Sequence, residues 1–259
     1  MKSFKNFAAA TIGMLSATLL AADALADTAK PPVARNVVLV HGAWADGSSW
    51  TDVIARLQAA GLHVTAVQNP LTSLADAVKA TKWVLEQQDG PTVLVGHSWS
   101  GTLVSEVGTD PKVSALVYVA ARVPDAGEDF LALQAKFPNT PARAGVENHD
   151  GVTVLSEDAY LKYFAGDNIP KARARALYAT QQPTAATLFS DRTDAAAWHD
   201  KPTFYAVSTR DQTISPEFER FLAKRMGAKT IEVAASHLSM ISHPKEIADL
   251  ILTAAGRGK

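Results

Sequence analysis

One stretch of the chain combines the residue types and the local order that nucleophilic catalysis needs: Val93-Leu94-Val95-Gly96-His97-Ser98-Trp99-Ser100-Gly101. Its apolar, β-branched start reads as a strand buried on both faces. Ser98 follows at once, and a helical pattern leaves it immediately. A serine at so sharp a strand-to-helix turn is strained, and its hydroxyl projects above the carboxyl edge of the sheet. The turn asks for small residues two positions either side, where Gly96 and Ser100 stand. Ser100 occupies a usual glycine place, with Gly101 just beyond, and still meets the steric demand. As a rival nucleophile Ser100 is poor, because its own flanks at those offsets are Ser98 and Thr102.

A serine hydroxyl is barely nucleophilic at neutral pH without a neighbouring base. Among seven histidines, His237 is the candidate, since Val233-Ala234-Ala235-Ser236-His237 carries it just past the last strand-like run. His243 lies farther on at a helix start, and His63 opens a strand at the opposite edge. His97 is expected to point elsewhere in a structural role. The base needs a carboxylate to fix its tautomer and stabilise the imidazolium. Asp211, which follows a strand through Ser208-Thr209-Arg210, is the preferred partner, and Asp125, also after a strand, is its competitor. The developing oxyanion needs two aimed N–H groups. Trp99, next to the nucleophile, supplies one, and Ala43 in Val40-His41-Gly42-Ala43-Trp44 the other.

Strand-like runs at 37–40, 63–67, 92–95, 115–119, 203–207 and 230–233 can place these groups on one edge. Helical patterns fall near 49–60, 74–87, 99–108, 216–226 and 244–255. Alternating strands and helices imply an α/β class: an open, mostly parallel sheet of about six strands flanked by helices. The interval of about 125–201 breaks this rhythm and reads as an inserted helical cap, with helical pieces at 157–164 and 171–178. It holds His149, His199 and eight aromatics, Phe130, Phe137, Tyr160, Tyr163, Phe164, Tyr178, Phe189 and Trp198. Two or three of these are expected to face a ligand.

Composition narrows the function classes. With 47% hydrophobic and 20% charged residues, the chain is neither disordered nor a membrane bundle. A net charge of −1 with no basic stripe argues against a nucleic-acid partner. The absence of cysteine removes thiol nucleophiles, thiolate metal sites and redox motifs. At the N-terminus Lys2 and Lys5 precede an apolar run over 7–20 and then Ala24-Leu25-Ala26. This order predicts a cleaved signal peptide over 1–26 and export to the periplasm or beyond, with the hydrolytic domain over 27–259. The run is too short to span a bilayer, and its removal leaves no expectation of stable membrane insertion.

Together these stretches resemble the α/β-hydrolase superfamily, and most closely its branch of plant methylesterases and hydroxynitrile lyases with their bacterial esterase relatives. Carrying the likeness are 37–44, 95–99, Ala120-Ala121-Arg122-Val123-Pro124-Asp125, 209–218 and His237-Leu238-Ser239-Met240. The resemblance runs through most of 36–255 and is poorest in the cap. It implies a core sheet of about six strands, a Ser98–His237–Asp211 triad, and Ala43 and Trp99 as oxyanion donors. No metal or organic cofactor is implied. Lyase members carry a lysine directly after the catalytic histidine, where this chain has Leu238. The expected substrates are therefore small, fairly apolar esters cleaved through an acyl-enzyme. C–C bond hydrolysis, perhydrolysis, and lactone or amide hydrolysis share the nucleophile, and a non-catalytic binding protein on the same fold is the remaining alternative.

Overall fold

The computed structural model describes residues 33–258, together with Met1. Apart from Met1, the leader-like stretch 1–26 lies outside the described residues. The chain begins β1 (Asn36–Val40), α1 (Thr51–Ala59), β2 (His63–Val67), α2 (Leu74–Glu86), β3 (Thr92–His97), α3 (Ser100–Val107) and β4 (Val113–Val119). It continues through α4 (Phe130–Gln134), β5 (Val146–His149), β6 (Val152–Leu155), α5 (Glu157–Ala159), α6 (Lys171–Ala179) and β7 (Thr184–Ala185). It closes with β8 (Thr203–Ser208), α7 (Pro216–Arg225), β9 (Lys229–Val233), α8 (Ser239–Ser242) and α9 (Pro244–Ala254).

The continuous apolar runs become strands covered on both faces: every residue of β1, β3 and β8 is buried, whereas β2 and β9 are partly exposed. That gradient follows the strand order β2-β1-β3-β4-β8-β9, in which all five pairings are parallel and the two outer strands are edges. Right-handed crossovers then decide where the helices go. From β1 the chain steps outward through α1 to β2, and from β2 it returns through α2 past β1, so α1 and α2 cover opposite faces. The observed packing agrees, with α1 against α9 and α2 against α3. Local signals set the boundaries: Ser73 caps α2 by accepting from Asp76 N–H at 3.1 Å. Ser215 does the same for α7, with Pro216 at its first position.

Direction reverses between β1 and β3, and such a switch point leaves a crevice at the carboxyl ends of the strands. Register brings the ends level there, with Val40 beside Gly96, His97 beside Val119, and Val119 beside Ala206. The loops carrying residues 41–44, 98–99, 120–125, 209–215 and 234–238 therefore gather on one edge.

The cap differs from the expected helical insertion. Beside α4, α5 and α6 it contains a small antiparallel sheet, β5-β6-β7, with Val146 opposite Leu155 and Thr153 opposite Thr184. Its hairpin turns at Asp150-Gly151, both at positive φ (52° and 87°), the conformation that an Asp-Gly pair favours in a tight turn. Strands of two to four residues are too short to show a buried-strand pattern, and β5 is largely exposed, although the Asp-Gly signal was there to read. The helical pieces do form, the first continuing from α5 into a π turn over Tyr160–Ala165.

Ser98 stands between β3 and α3 at φ 56°, a left-handed backbone that is rare outside glycine. The surroundings enforce it. A Cβ at Gly101 would lie 2.0 Å from the Arg122 carbonyl oxygen, so α3 can start this close to the 120–125 loop only with glycine there. Ser100 fills its glycine-like place with a purpose: its buried Oγ accepts from His97 N–H at 2.9 Å and reaches the Val40 and His97 carbonyls, each at 2.8 Å. It ties the turn to β1. Ser100→Ala should thus cost about 1–3 kcal/mol, because buried partners lose their hydrogen bonds. In urea unfolding this is a lower midpoint at unchanged slope; an unchanged midpoint would refute the tie.

Candidate active site

His237 and Asp211 meet at the end of β8 and β9. Imidazole Nδ1 and carboxylate Oδ2 are 2.5 Å apart, and both side chains are fully buried. Asp211 is held by its own loop, since its Oδ1 accepts from Thr213 N–H at 2.6 Å and Ile214 N–H at 3.0 Å. With Nδ1–H donated to Asp211, the lone pair of His237 lies on Nε2, which is buried and has no hydrogen-bond partner. Ser98 Oγ does not bond to it in this ligand-free geometry, and catalytic hydrogen bonds commonly tighten only around substrate.

His97 points toward His237, contrary to expectation. Its Nε2–H donates to the His237 carbonyl at 3.1 Å, and the two rings lie 4.7 Å apart. Burial, aided by the neighbouring His237, pushes its pKa well below the usual imidazole range, so His97 is a neutral prop that fixes the loop of the base. Asp125 is elsewhere. Its half-exposed carboxylate pairs with His199 at 3.1 Å and Arg225 at 3.5 Å, a surface cluster with no contact to His237.

The expected oxyanion donors are Trp99, next to Ser98 in the chain, and Ala43, next to Gly42 which packs on Ser98; among the described residues neither amide has an acceptor. Both chain segments are pinned to the cap. Trp44 donates from its amide to Thr184 Oγ1 at 3.2 Å and from its indole to Thr153 Oγ1 at 3.3 Å. Trp99 donates its indole N–H to the Leu188 carbonyl at 2.7 Å. Gly42 allows the first loop to come this close: a Cβ there would stand 2.7 Å from Ser98 Cβ.

Ser98 opens into a cavity of about 390 Å³ beneath the cap, walled by Trp44, Trp99, Phe130, Phe189, Ile214 and Phe218 among others. Of the eight cap aromatics, Phe130 and Phe189 line it. Others hold the insertion together: Tyr160 packs on Phe164 at 4.9 Å and on Tyr178 at 5.7 Å, and Phe137 on Phe218 at 4.6 Å. Among the described residues, no group of three or more His, Asp or Glu is arranged to hold a metal ion, and no helix is long and apolar enough to cross a membrane.

The profile described as "Alpha/beta hydrolase family" matches residues 37–250. The chain belongs to that family. Among its relatives, Salicylic acid-binding protein 2 of Nicotiana tabacum is 28% identical over 255 residues, covering 85% of this chain and 97% of that protein. Methylesterase 2 of Arabidopsis thaliana is 23% identical, covering 85% and 96% respectively. The crystal structure of polyneuridine aldehyde esterase superposes with a TM-score of 0.72 at 20% identity, covering 85% of this chain and 98% of that one, and so shows the same fold.

Two charged residues of this alpha/beta hydrolase escaped the sequence reading. Arg122 lines the cavity; Glu219 lies fully buried on the inner face of α7 with Leu222 and Ala223. The signal for Glu219 was a carboxylate on an apolar helix stripe. Its Oε2 accepts from Ser208 N–H at 3.0 Å. Burial first, and then the charge of Asp211, push its pKa well above the usual carboxylate range. Because the folded state keeps a proton that the unfolded chain releases above its ordinary pKa, the stabilising contribution of Glu219 is complete at low pH and declines as pH rises. Glu219→Gln can still accept from Ser208 but has no proton to lose. Its melting temperature, relative to the parent, should therefore climb as pH rises above the ordinary carboxylate range. A difference independent of pH in parallel thermal melts would rule out the buried neutral carboxyl.

Proposed function

We propose that this protein hydrolyses small, fairly apolar esters by two-step acyl transfer from Ser98, with His237 as base and Asp211 as its orienting carboxylate. The coarse class, a carboxylic ester hydrolase, follows from the family and from relatives named as esterases. The observation that carries the finer reading is the buried Asp211–His237 pair, which leaves a bare Nε2 at the edge where Ser98 is displayed.

In the first step Ser98 Oγ forms a bond to the ester carbonyl carbon while its proton passes to His237 Nε2. The carbonyl electron pair moves onto oxygen, and that oxyanion takes hydrogen bonds from the Ala43 and Trp99 amides. Collapse of the tetrahedral intermediate breaks the bond to the alcohol oxygen, which leaves with the proton from His237. Water then repeats the sequence on the acyl-enzyme, giving its proton to His237, and the acid departs as Ser98 regains a proton. Asp211 stays ionised and favours the imidazolium that forms in each half. The apolar cavity walls suit a hydrocarbon acyl or alcohol group. Leu238 follows His237, so no lysine stands there to stabilise a departing cyanide. Export completes the reading and rests on the leader-like order of residues 1–26.

On p-nitrophenyl butyrate, Ser98→Ala and His237→Ala should each lower kcat by on the order of 10⁴-fold or more, and Asp211→Asn by about 10⁴-fold. The melting temperature should stay close to the parent for Ser98→Ala and fall for the two variants that break the buried pair. Asp125→Asn should be nearly neutral. A folded Ser98→Ala variant with parental turnover would overturn the assignment.

A further inference from the structure

Arg122 is the anomaly of the cavity. It is 5% exposed, yet among the described residues its guanidinium makes no ion pair. Nη2–H donates to the Phe189 carbonyl at 3.1 Å, whereas Nε and Nη1 are buried with no acceptor. The Phe130 ring covers the guanidinium, 4.3 Å from its carbon, and shields it from water. Desolvation pushes its pKa down to about 10, opposed only by the more distant Asp191. Buried cations ordinarily find a partner, because an unpaired one costs several kcal/mol. Here none is built in. The residue stands beside the nucleophile, its amide donating to the Ser98 carbonyl at 3.0 Å. The whole cavity shares this imbalance: its ionisable lining groups besides Ser98 are Arg122 and Arg143, with no aspartate or glutamate among them.

We propose that Arg122 is a specificity residue that pairs with an anion on the substrate, so that the preferred esters carry a carboxylate in addition to the scissile bond. This rests on the ester-hydrolase reading and sharpens its substrate class to the half-ester type, an apolar body ending in one carboxylate. A guanidinium whose Nε and Nη1 lack acceptors makes charge-assisted bonds, worth more than neutral ones, to a carboxylate that displaces the Phe130 ring covering it. Loss of the charge falls chiefly on anionic substrates; neutral esters feel only the smaller adjustment of Phe130 and Phe189, the two walls that the guanidinium touches.

The test uses two matched substrate pairs, one with the carboxylate on the acyl side and one with it on the alcohol side. They are mono-p-nitrophenyl glutarate against p-nitrophenyl valerate, and 4-acetoxybutanoate against butyl acetate, followed by absorbance and by pH-stat. The parent should favour the anionic member of at least one pair by about tenfold or more in kcat/KM, a factor worth about 1.4 kcal/mol. Arg122→Gln should erase that preference while leaving the neutral member within about threefold, and Arg122→Lys should keep part of it. Arg122→Met, which preserves the apolar stem, serves if the glutamine variant does not fold. Absence of preference in both pairs, or its survival in the folded Gln or Met variant, overturns the proposal. Should even the neutral esters be untouched, the ester-hydrolase reading is what fails. The anion site is then decided by titrating glutarate against the emission of the cavity tryptophans Trp44 and Trp99. Saturable quenching that disappears in Arg122→Gln upholds it, and identical responses dismiss it.

Discussion

Ser98 is held at φ 56°, in a region that side chains avoid at a cost on the order of 1–3 kcal/mol. Much of the molecule serves to impose that conformation. A fully buried β3 delivers the chain to the turn, and Gly101 lets α3 begin against the Arg122 carbonyl. The Ser100 hydroxyl binds the turn to β1. Further outward, the Ser98 carbonyl receives the amides of Gly101 and Arg122, which fixes both the helix start and the loop after β4 to the same point. Relaxation of the turn would also displace the Trp99 amide, since donor and nucleophile are consecutive residues.

The cap gains a second meaning in this light. Besides roofing an apolar cavity, it holds both oxyanion segments through Thr153, Thr184 and Leu188. Under the proposed mechanism, changes in the small antiparallel sheet reach transition-state stabilisation as well as substrate fit. The base is secured from the opposite side. His97 grips the His237 backbone, and behind Asp211 the protonated Glu219 adds no second negative charge. Three buried ionisable groups around the pair, His97, Glu219 and Tyr205, are all pushed toward their neutral forms chiefly by burial.

The central core strands were legible because strands buried on both faces are uninterrupted apolar runs, and the candidate site residues were chosen because each lies just past such a run. Asp211 could be preferred over Asp125 from chain order, but their separation became plain only from the Asp125–His199–Arg225 cluster, formed by residues distant in sequence. The direction of His97 was misread for a similar reason: its partner, the His237 carbonyl, lies 140 residues away. The cap sheet was hidden by shortness, with two strands of four residues and one of two and little inward face. Arg122 was quoted as part of a matching stretch, yet nothing in Ala120-Ala121-Arg122-Val123 tells that its guanidinium lacks an acid. Unpaired charge is a property of the assembled cavity.

The account turns on one atom, the Ser98 oxygen, being nucleophilic because His237 and Asp211 stand behind it. Treatment with a fluorophosphonate, followed by peptide mass analysis, reads that atom directly. One covalent adduct per chain on the peptide containing Ser98, lost in Ser98→Ala and much slowed in His237→Ala, is the predicted result. Labelling of another residue, or equally fast labelling without His237, would contradict it.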